Sequence, residues 1–290
     1  MKIAVVPSSI ENLDKYTKIG AKAFIFGLEN FSINYPVITL TEIKQIVKKY
    51  PGVELFISIN KTIFNRELTS LEQVLIELDS IPIQGVLFYD LSILSIYHKH
   101  KFNYDLVWHQ THMVTNYNTC NYYYEKGVKY AVLASEITKD EMIEIKNHTK
   151  MKLFTYIIGH SIMAHSKRKL LTNYYESMNQ EYDNISKIIE EKDNSYIITE
   201  TKDGTCILEG NIINGTSYLK ELNDIGISYG IIDGNHISDT LLEKLVKLVY
   251  DILENDSKNS MQEISHLIGN NTGFFNKKTI FKVKKDEKKD

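Results

Sequence analysis

The stretch from Tyr130 to Gly159, YAVLASEITKDEMIEIKNHTKMKLFTYIIG, carries a strand, a helix start and a second strand in thirty residues. Tyr130 to Leu133 and Lys152 to Ile158 are short, β-prone runs that are apolar on consecutive residues rather than on alternate ones. Strands of that kind are buried on both faces, as in parallel sheets whose neighbours are joined by covering helices. Between them, Thr138-Lys-Asp-Glu141 reads as a capping box, the hydroxyl and the carboxylate each satisfying an orphan amide of the first turn. The segment Lys139 to Asn147 then has helical spacing.

The same rhythm runs outward in both directions. Lys2 to Val6, Ala23 to Phe26, Val53 to Ile59, Gly85 to Tyr89, Leu106 to Trp108 and Tyr229 to Ile232 bring the candidate strands to eight. Leu40 to Lys49, Leu71 to Leu78 and Cys120 to Lys126 have helical spacing between them. Eight strand–helix units predict a closed (β/α)8 barrel, a fold of about 250 residues that fits a chain of 290. The open doubly wound alternative calls for a glycine-rich phosphate loop, but the first strand is followed by Pro7-Ser-Ser-Ile and the second ends in Gly27-Leu-Glu-Asn.

One interruption stands out: Ser195 to Leu208, SYIITETKDGTCIL, carries Asp203-Gly204 between two β-prone runs and predicts a hairpin excursion on the barrel rim. A long helix is expected over Ser238 to Glu254. The chain therefore divides into a barrel domain over 1–268 and a C-terminal extension over 269–290. From Lys277 to Asp290 the extension has seven Lys against three acidic residues, a local charge of +4. It reads as a solubilising tail or as a contact for an RNA backbone.

With 43% hydrophobic and 24% charged residues the chain is neither disordered nor fibrous. Its formal charge of −3 offers no global attraction to nucleic acid, so any RNA contact is local. Cys120 and Cys206 are too few for a disulfide framework or an all-thiolate metal site, which points to a reducing, cytoplasmic setting. The opening MKIAVVPSS has too short an apolar run for a signal peptide, and no later stretch is apolar enough to span a membrane, so neither secretion nor membrane association is expected.

Barrel active sites lie at the C-terminal ends of the strands, so the polar residues that follow each apolar run are the candidates. They are Ser8, Gly27, Asn60, Asp90, His109, Glu136, His160 and Asp233. Carboxylates, imidazoles and an amide at one mouth serve general acid–base chemistry, a divalent ion or a polar ligand, and spacing does not choose among these. Each has a plainer role as well: Asp90 caps the next helix, Asn60 braces a turn, and Asp233 before Gly234 suits a turn. His109 and Glu136 lead into helix-start signals and are the stronger catalytic candidates, with Asp90 beside them.

His98 to Lys101 reads as a solvated face. His109 and His112 have spacing for two metal ligands but lack an evident third, so no metal site is assigned. The run GHSIMAHSKRKLL from Gly159 to Leu171 places His160, His165, Lys167, Arg168 and Lys169 on a basic loop suited to an anion. No G-x-S-x-G, H-E-x-x-H or P-loop occurs, and neither cysteine is set beside a base.

Several segments, in order, resemble peptidase family U32, the collagenase-like group. Gly20-Ala21-Lys-Ala-Phe-Ile-Phe-Gly27 with Phe31-Ser32 is similar to its GADAVYLG…FS start, and Leu55-Phe-Ile-Ser-Ile-Asn60 to its V-x-x-N strand. Gly85-Val-Leu-Phe-Tyr-Asp90-Leu91 is similar to GVI-x-x-DLG, and His109-Gln-Thr-His-Met-Val-Thr-Asn116 resembles H-x-S-T-Q-x-x-x-x-N. Leu133 to Glu141 resembles the signature L-x-x-E-L-S/T-x-x-E. Gly159, Ser166, Arg168, Leu170, Leu171 and Asn173 match positions of HGALCIAYSGRCLLSN. Asp203-Gly204-Thr205, Gly226 to Gly234 and Thr272-Gly-Phe-Phe275 complete the series. The resemblance covers nearly the whole chain and implies a barrel domain. Asn60, His160, Ser166, Arg168 and Asp233 are taken as the candidate substrate-binding positions.

The departures are specific. Ile158 stands where the family has His, Ile162 and Lys169 stand where its paired cysteines fall, and Glu176 to Ile189 lacks C-x-x-x-C-R. Ile231, Asp233 and Asn235 replace the Lys, Glu and Arg of KIEGR. All four iron–sulfur ligand positions of the cluster-bearing members are therefore missing, and no cofactor is expected in this chain. The short, cysteine-poor form is similar to the smaller of the paired U32 proteins of Gram-positive-type bacteria. That resemblance implies a role in hydroxylating the wobble uridine of tRNA to 5-hydroxyuridine, with a cluster-bearing paralogue, tRNA and an anionic metabolite such as prephenate as partners. A collagenase-like peptidase and a non-catalytic partner subunit are the alternatives.

Overall fold

Parallel pairing that returns to its own first strand leaves no sheet edge, and that closure organises this chain. The computed structural model describes residues 1–191 and 194–277. The eight barrel strands are β1 (Lys2–Val6), β2 (Ala23–Leu28), β3 (Glu54–Ile59), β4 (Gly85–Phe88), β5 (Asp105–Trp108), β6 (Tyr130–Val132), β7 (Lys152–Gly159) and β8 (Tyr229–Asp233). Each pairs in parallel with the next, from Ala23↔Glu54 through Tyr130↔Lys152 to Tyr229↔Phe154. β1 closes the ring, pairing with β8 at Val6↔Asp233 and with β2 at Ala4↔Ala23. The protein is a (β/α)8 barrel.

Helices α1 (Leu13–Ile19), α2 (Leu40–Lys49), α3 (Leu68–Asp79), α4 (Ser92–His100), α5 (Tyr117–Glu125) and α6 (Lys139–His148) follow β1 to β6. α6 starts on the expected capping box, with Glu141 N donating to Thr138 Oγ1 at 3.3 Å and Thr138 N donating to Glu141 Oε2 at 2.6 Å. A second box on Thr39 and Glu42 opens α2. Apolar burial forms two separate bodies. One lies between strands and helices; the other fills the barrel with Ala4, Ile25, Phe56, Leu87, Val107, Tyr130, Phe154 and Ile231 among others.

The excursion between β7 and β8 is larger than a hairpin. The predicted pair, Asn194–Thr201 and Gly204–Glu209, turns at Lys202-Asp203, with Thr201↔Gly204 closing it. Gly204 has φ +128°, and a Cβ there would lie 2.1 Å from the Ser166 carbonyl oxygen, so the turn accepts only glycine. Two further antiparallel strands, Ile162–Ser166 and Lys187–Glu191, flank this pair and make a four-stranded sheet with α7 (Leu170–Ser177). Lys61 ties the turn to the barrel, 2.8 Å from Glu67 and 2.9 Å from Asp203.

After α8 (Leu219–Asp224) and β8, the expected long helix is α9 (Asp239–Asn255), followed by α10 (Lys258–Ile268). Residues 269–277 pack back onto the rim: Phe275 is buried and stacks on Tyr218, and Lys139 N donates to its carbonyl at 2.9 Å. The Lys-rich tail beyond Lys277 lies outside the described residues.

Candidate functional site at the barrel mouth

Side chains alternate across a strand, so the residue two places beyond an inward core residue also points inward. Val107, Phe154 and Ile231 belong to the barrel interior, which places His109, Tyr156 and Asp233 in the next layer up, at the mouth. Tyr35, from the loop after β2, joins them. Its hydroxyl lies 3.0 Å from the Tyr156 hydroxyl, which in turn lies 3.3 Å from His109 Nε2. Burial lowers the His109 pKa to about 4, so the ring is neutral, and its buried Nδ1 has no hydrogen-bond partner. Burial pushes both phenols upward.

Asp233 receives one backbone hydrogen bond, from Asn235 N at 3.0 Å, and is otherwise desolvated. That burial lifts its carboxyl to about 7. Gly159 permits the approach: with φ +151°, a Cβ on it would stand 2.8 Å from Asp233 Cβ. Asp233, Tyr156, His160, Ser161 and Thr111 line a cavity of about 20 Å³, room for a single water. His160 Nδ1 is 2.8 Å from the Glu209 carbonyl, and its ring stands 6.3 Å from that of His236. Burial lowers the pKa of both imidazoles.

The candidates thus fall into groups. His109, His160 and Asp233 converge, each 9% exposed or less. Glu136 stands apart, half-exposed and 3.5 Å from His112 Nδ1, on a separate cleft of about 210 Å³ shared with Tyr196, Asn271 and Lys277. Asp90 spends both oxygens on backbone amides, those of Ile63 at 3.0 Å and Ser92 at 2.9 Å, which anchors the start of α4. Asn60 clasps Ile33, accepting from its amide at 2.8 Å and donating to its carbonyl at 2.9 Å.

Ser166 ends the first excursion strand and accepts from Arg168 N at 3.2 Å, while Arg168 is exposed on the turn beyond. The basic loop is therefore spread over several surfaces: His160 faces the barrel, Lys167 donates to the Thr62 carbonyl at 2.9 Å, and Lys169 is exposed. Among the remaining strand-end residues, Ser8 bonds Asp239, and Gly27 packs against Ser32. Tyr35 and Tyr156 were missed by collecting only the polar residue after each strand. Strand parity reaches Tyr156; Tyr35 sits on no barrel strand and has no such signal.

The sequence model of Peptidase family U32 matches residues 8–284. The chain belongs to this family. Two Bacillus subtilis proteins are similar to this U32 chain. "tRNA hydroxylation protein P2" is 27% identical over 308 residues, covering 97% of this chain and 99% of the relative. "tRNA hydroxylation protein P1" is 23% identical over 171 residues, covering 57% and 40%. Of solved structures, phosphoribosyl anthranilate isomerase from Thermus thermophilus superposes with TM-score 0.50 at 9% identity over 88% of this chain and 99% of its own, a likeness of fold alone. The U32 peptidase Mk0906 gives 0.46 at 15% identity, over 56% and 70%.

The donor set of this U32 protein does not fit an iron–sulfur cluster. The family's ligand positions hold Ile162 and Lys169, which supply no thiolate. Cys120 is on α5 and Cys206 in the excursion sheet beside Asn34. Burial raises both thiols, Cys120 to about 12. Among the described residues no group of three His, Cys, Asp or Glu side chains is placed to hold a metal, and no helix is long and apolar enough to cross a membrane.

Proposed function

We propose that this U32 protein acts in tRNA hydroxylation, in the formation of 5-hydroxyuridine at the wobble position, beside a cluster-bearing paralogue. The observation that carries this reading is the end-to-end similarity to tRNA hydroxylation protein P2, over 97% of this chain and 99% of that one. The mouth supports a proton-handling role. Asp233, with its carboxyl at about 7, gives or takes a proton at neutral pH, and the neutral His109–Tyr156–Tyr35 chain holds hydroxyl protons beside it. In this reading the chain contributes binding and acid–base groups. An anionic metabolite such as prephenate is the expected small partner, and tRNA the large one.

The test is nucleoside mass spectrometry of bulk tRNA from a deletion strain complemented with variants. Deletion removes 5-hydroxyuridine derivatives, and the wild-type gene restores them. Asp233→Asn does not restore them, because an amide cannot exchange the proton. Full restoration by Asp233→Asn together with His109→Gln would assign the chain a non-catalytic partner role, and an unchanged signal on deletion would remove the reading.

A further inference from the structure

A third cavity, of about 510 Å³, lies at the mouth, between the loops after β2 to β5 and the strand Ile162–Ser166. Its size falls within the range of about 300–1,000 Å³ that small-ligand sites occupy, whereas the inner cavity of about 20 Å³ admits only water. Thr111 and Ile162 line both, so the outer space adjoins the inner one that holds Asp233 and Tyr156.

Two aromatic rings face the outer cavity. Phe64, 46% exposed, already has a cation on its ring: Lys167 Nζ sits 3.6 Å from its centroid, and this contact latches the excursion sheet to the loop after β3. Tyr89 is open. It follows β4 directly, its side chain is 38% exposed, and only its backbone is tied, with its amide donating to the Ile59 carbonyl at 3.3 Å and its carbonyl accepting from Gln110 Nε2 at 2.7 Å. Among the described residues neither its ring nor its hydroxyl pairs with another side chain. Met163, 49% exposed, lines the same cavity and brings its thioether. An unpaired ring and a polarisable side chain on one cavity suit a flat, uncharged π-system, and Thr111 and His112 in the same lining offer polar partners to its edges.

We propose that this outer cavity takes up a single unpaired nucleobase, turned out of its loop and stacked on Tyr89, with its edge directed toward Thr111, which also lines the inner cavity of Asp233. The inference rests on the tRNA reading above and names the site where the wobble uridine is held. A base buried in a loop's stack is out of reach of the Asp233 carboxyl, so it must leave that stack before the inner residues can act on it. The latch of Lys167 on Phe64 keeps the far wall in place while the Tyr89 face stays free.

The experiment measures binding of a synthetic anticodon stem–loop by fluorescence anisotropy, with the protein and its cluster-bearing paralogue together. Two probes are compared, one intact and one with an abasic site in place of the wobble uridine. The wild type binds the intact loop roughly ten-fold more tightly than the abasic one. Tyr89→Ala abolishes that difference and binds both probes as the wild type binds the abasic loop, while Tyr89→Phe keeps it. Equal wild-type affinity for both probes, a preference that survives in Tyr89→Ala, or no binding of either probe overturns the inference. Equal affinity with tRNA hydroxylation intact in cells removes this cavity's role and leaves the broader function standing.

Discussion

The two ends of the barrel interior are built from similar residues and treat their polar atoms in opposite ways. At the floor, Phe154 stacks on Tyr229 with centroids 4.2 Å apart, and Phe56 and Tyr130 close around them edge-on. The phenols there reach charged partners: Tyr229 donates to Glu54 Oε2 at 2.9 Å, and Lys152 Nζ donates to the Tyr130 hydroxyl at 3.3 Å. At the mouth, one layer up, the phenols bond only each other and a neutral imidazole with an unpaired nitrogen, beside a desolvated carboxyl. Satisfied polar groups around aromatic packing stabilise a fold, whereas unsatisfied ones cost free energy and persist where a ligand or a proton uses them.

Breaking the floor has the largest effect. Phe154→Ala empties the centre of the aromatic cluster and is expected to lose about 3–5 kcal/mol in denaturant melts. That loss is the same at pH 5 and pH 8, since no titrating group is removed.

Neutralising the mouth acts in the other direction and depends on pH. Asp233 holds its proton up to about 7 in the fold, against 3.8 ordinarily. Folding therefore loses stability as pH climbs between those values, and the loss is complete above 7, reaching up to about 4 kcal/mol. Asp233→Asn is expected to melt higher than the wild type at pH 8 by that order, and to show no gain below pH 4. A wild-type advantage at pH 8 would mean that the carboxylate has a cation partner at the mouth.

His109 supplies the mirror image. Its pKa is 6.5 ordinarily and about 4 in the fold, so the unfolded chain binds a proton first as pH falls. Stability is then lost between those values, by up to about 3 kcal/mol. His109→Gln flattens part of this acid limb in a pH series of melts. His160 and His236, shifted the same way by burial, keep the rest.

Tyr156→Phe is the smallest change and the sharpest comparison. It removes the hydroxyl between Tyr35 and His109 at a cost of about 1 kcal/mol. The melting temperature is expected to move by a few degrees at most, while 5-hydroxyuridine restored by the variant falls well below that restored by the wild type. Equal loss of both would make the mouth a second floor.

Much of the architecture is legible in the sequence. Eight apolar runs, the Thr138 box and the Asp203-Gly204 turn are local patterns, written in consecutive residues, and the barrel follows from their order. Strand-end reading also reached His109, His160 and Asp233. The four-stranded form of the excursion was not legible: Ile162–Ser166 pairs with Gly204–Glu209 some forty residues away, and it carries His165 and Ser166, which read as loop. Nor does a sequence separate Asp90, whose oxygens serve the amides of Ile63 and Ser92, from Asp233, which has one amide and little else.

Both are aspartates just past a β-prone run and before a turn, and only their surroundings differ. The sequence by itself determined the period of the strands, their burial on both faces, the helix starts and the loss of the cluster cysteines, because each rests on residue types at short spacing. Tertiary structure alone decided which strand-end residues share a cavity, that Tyr35 and Tyr156 join them, that Tyr89 keeps an open face and that Asp233 holds its proton to about 7. Desolvation and distance are properties of whatever the fold brings alongside, and those neighbours come from strands far apart in the chain.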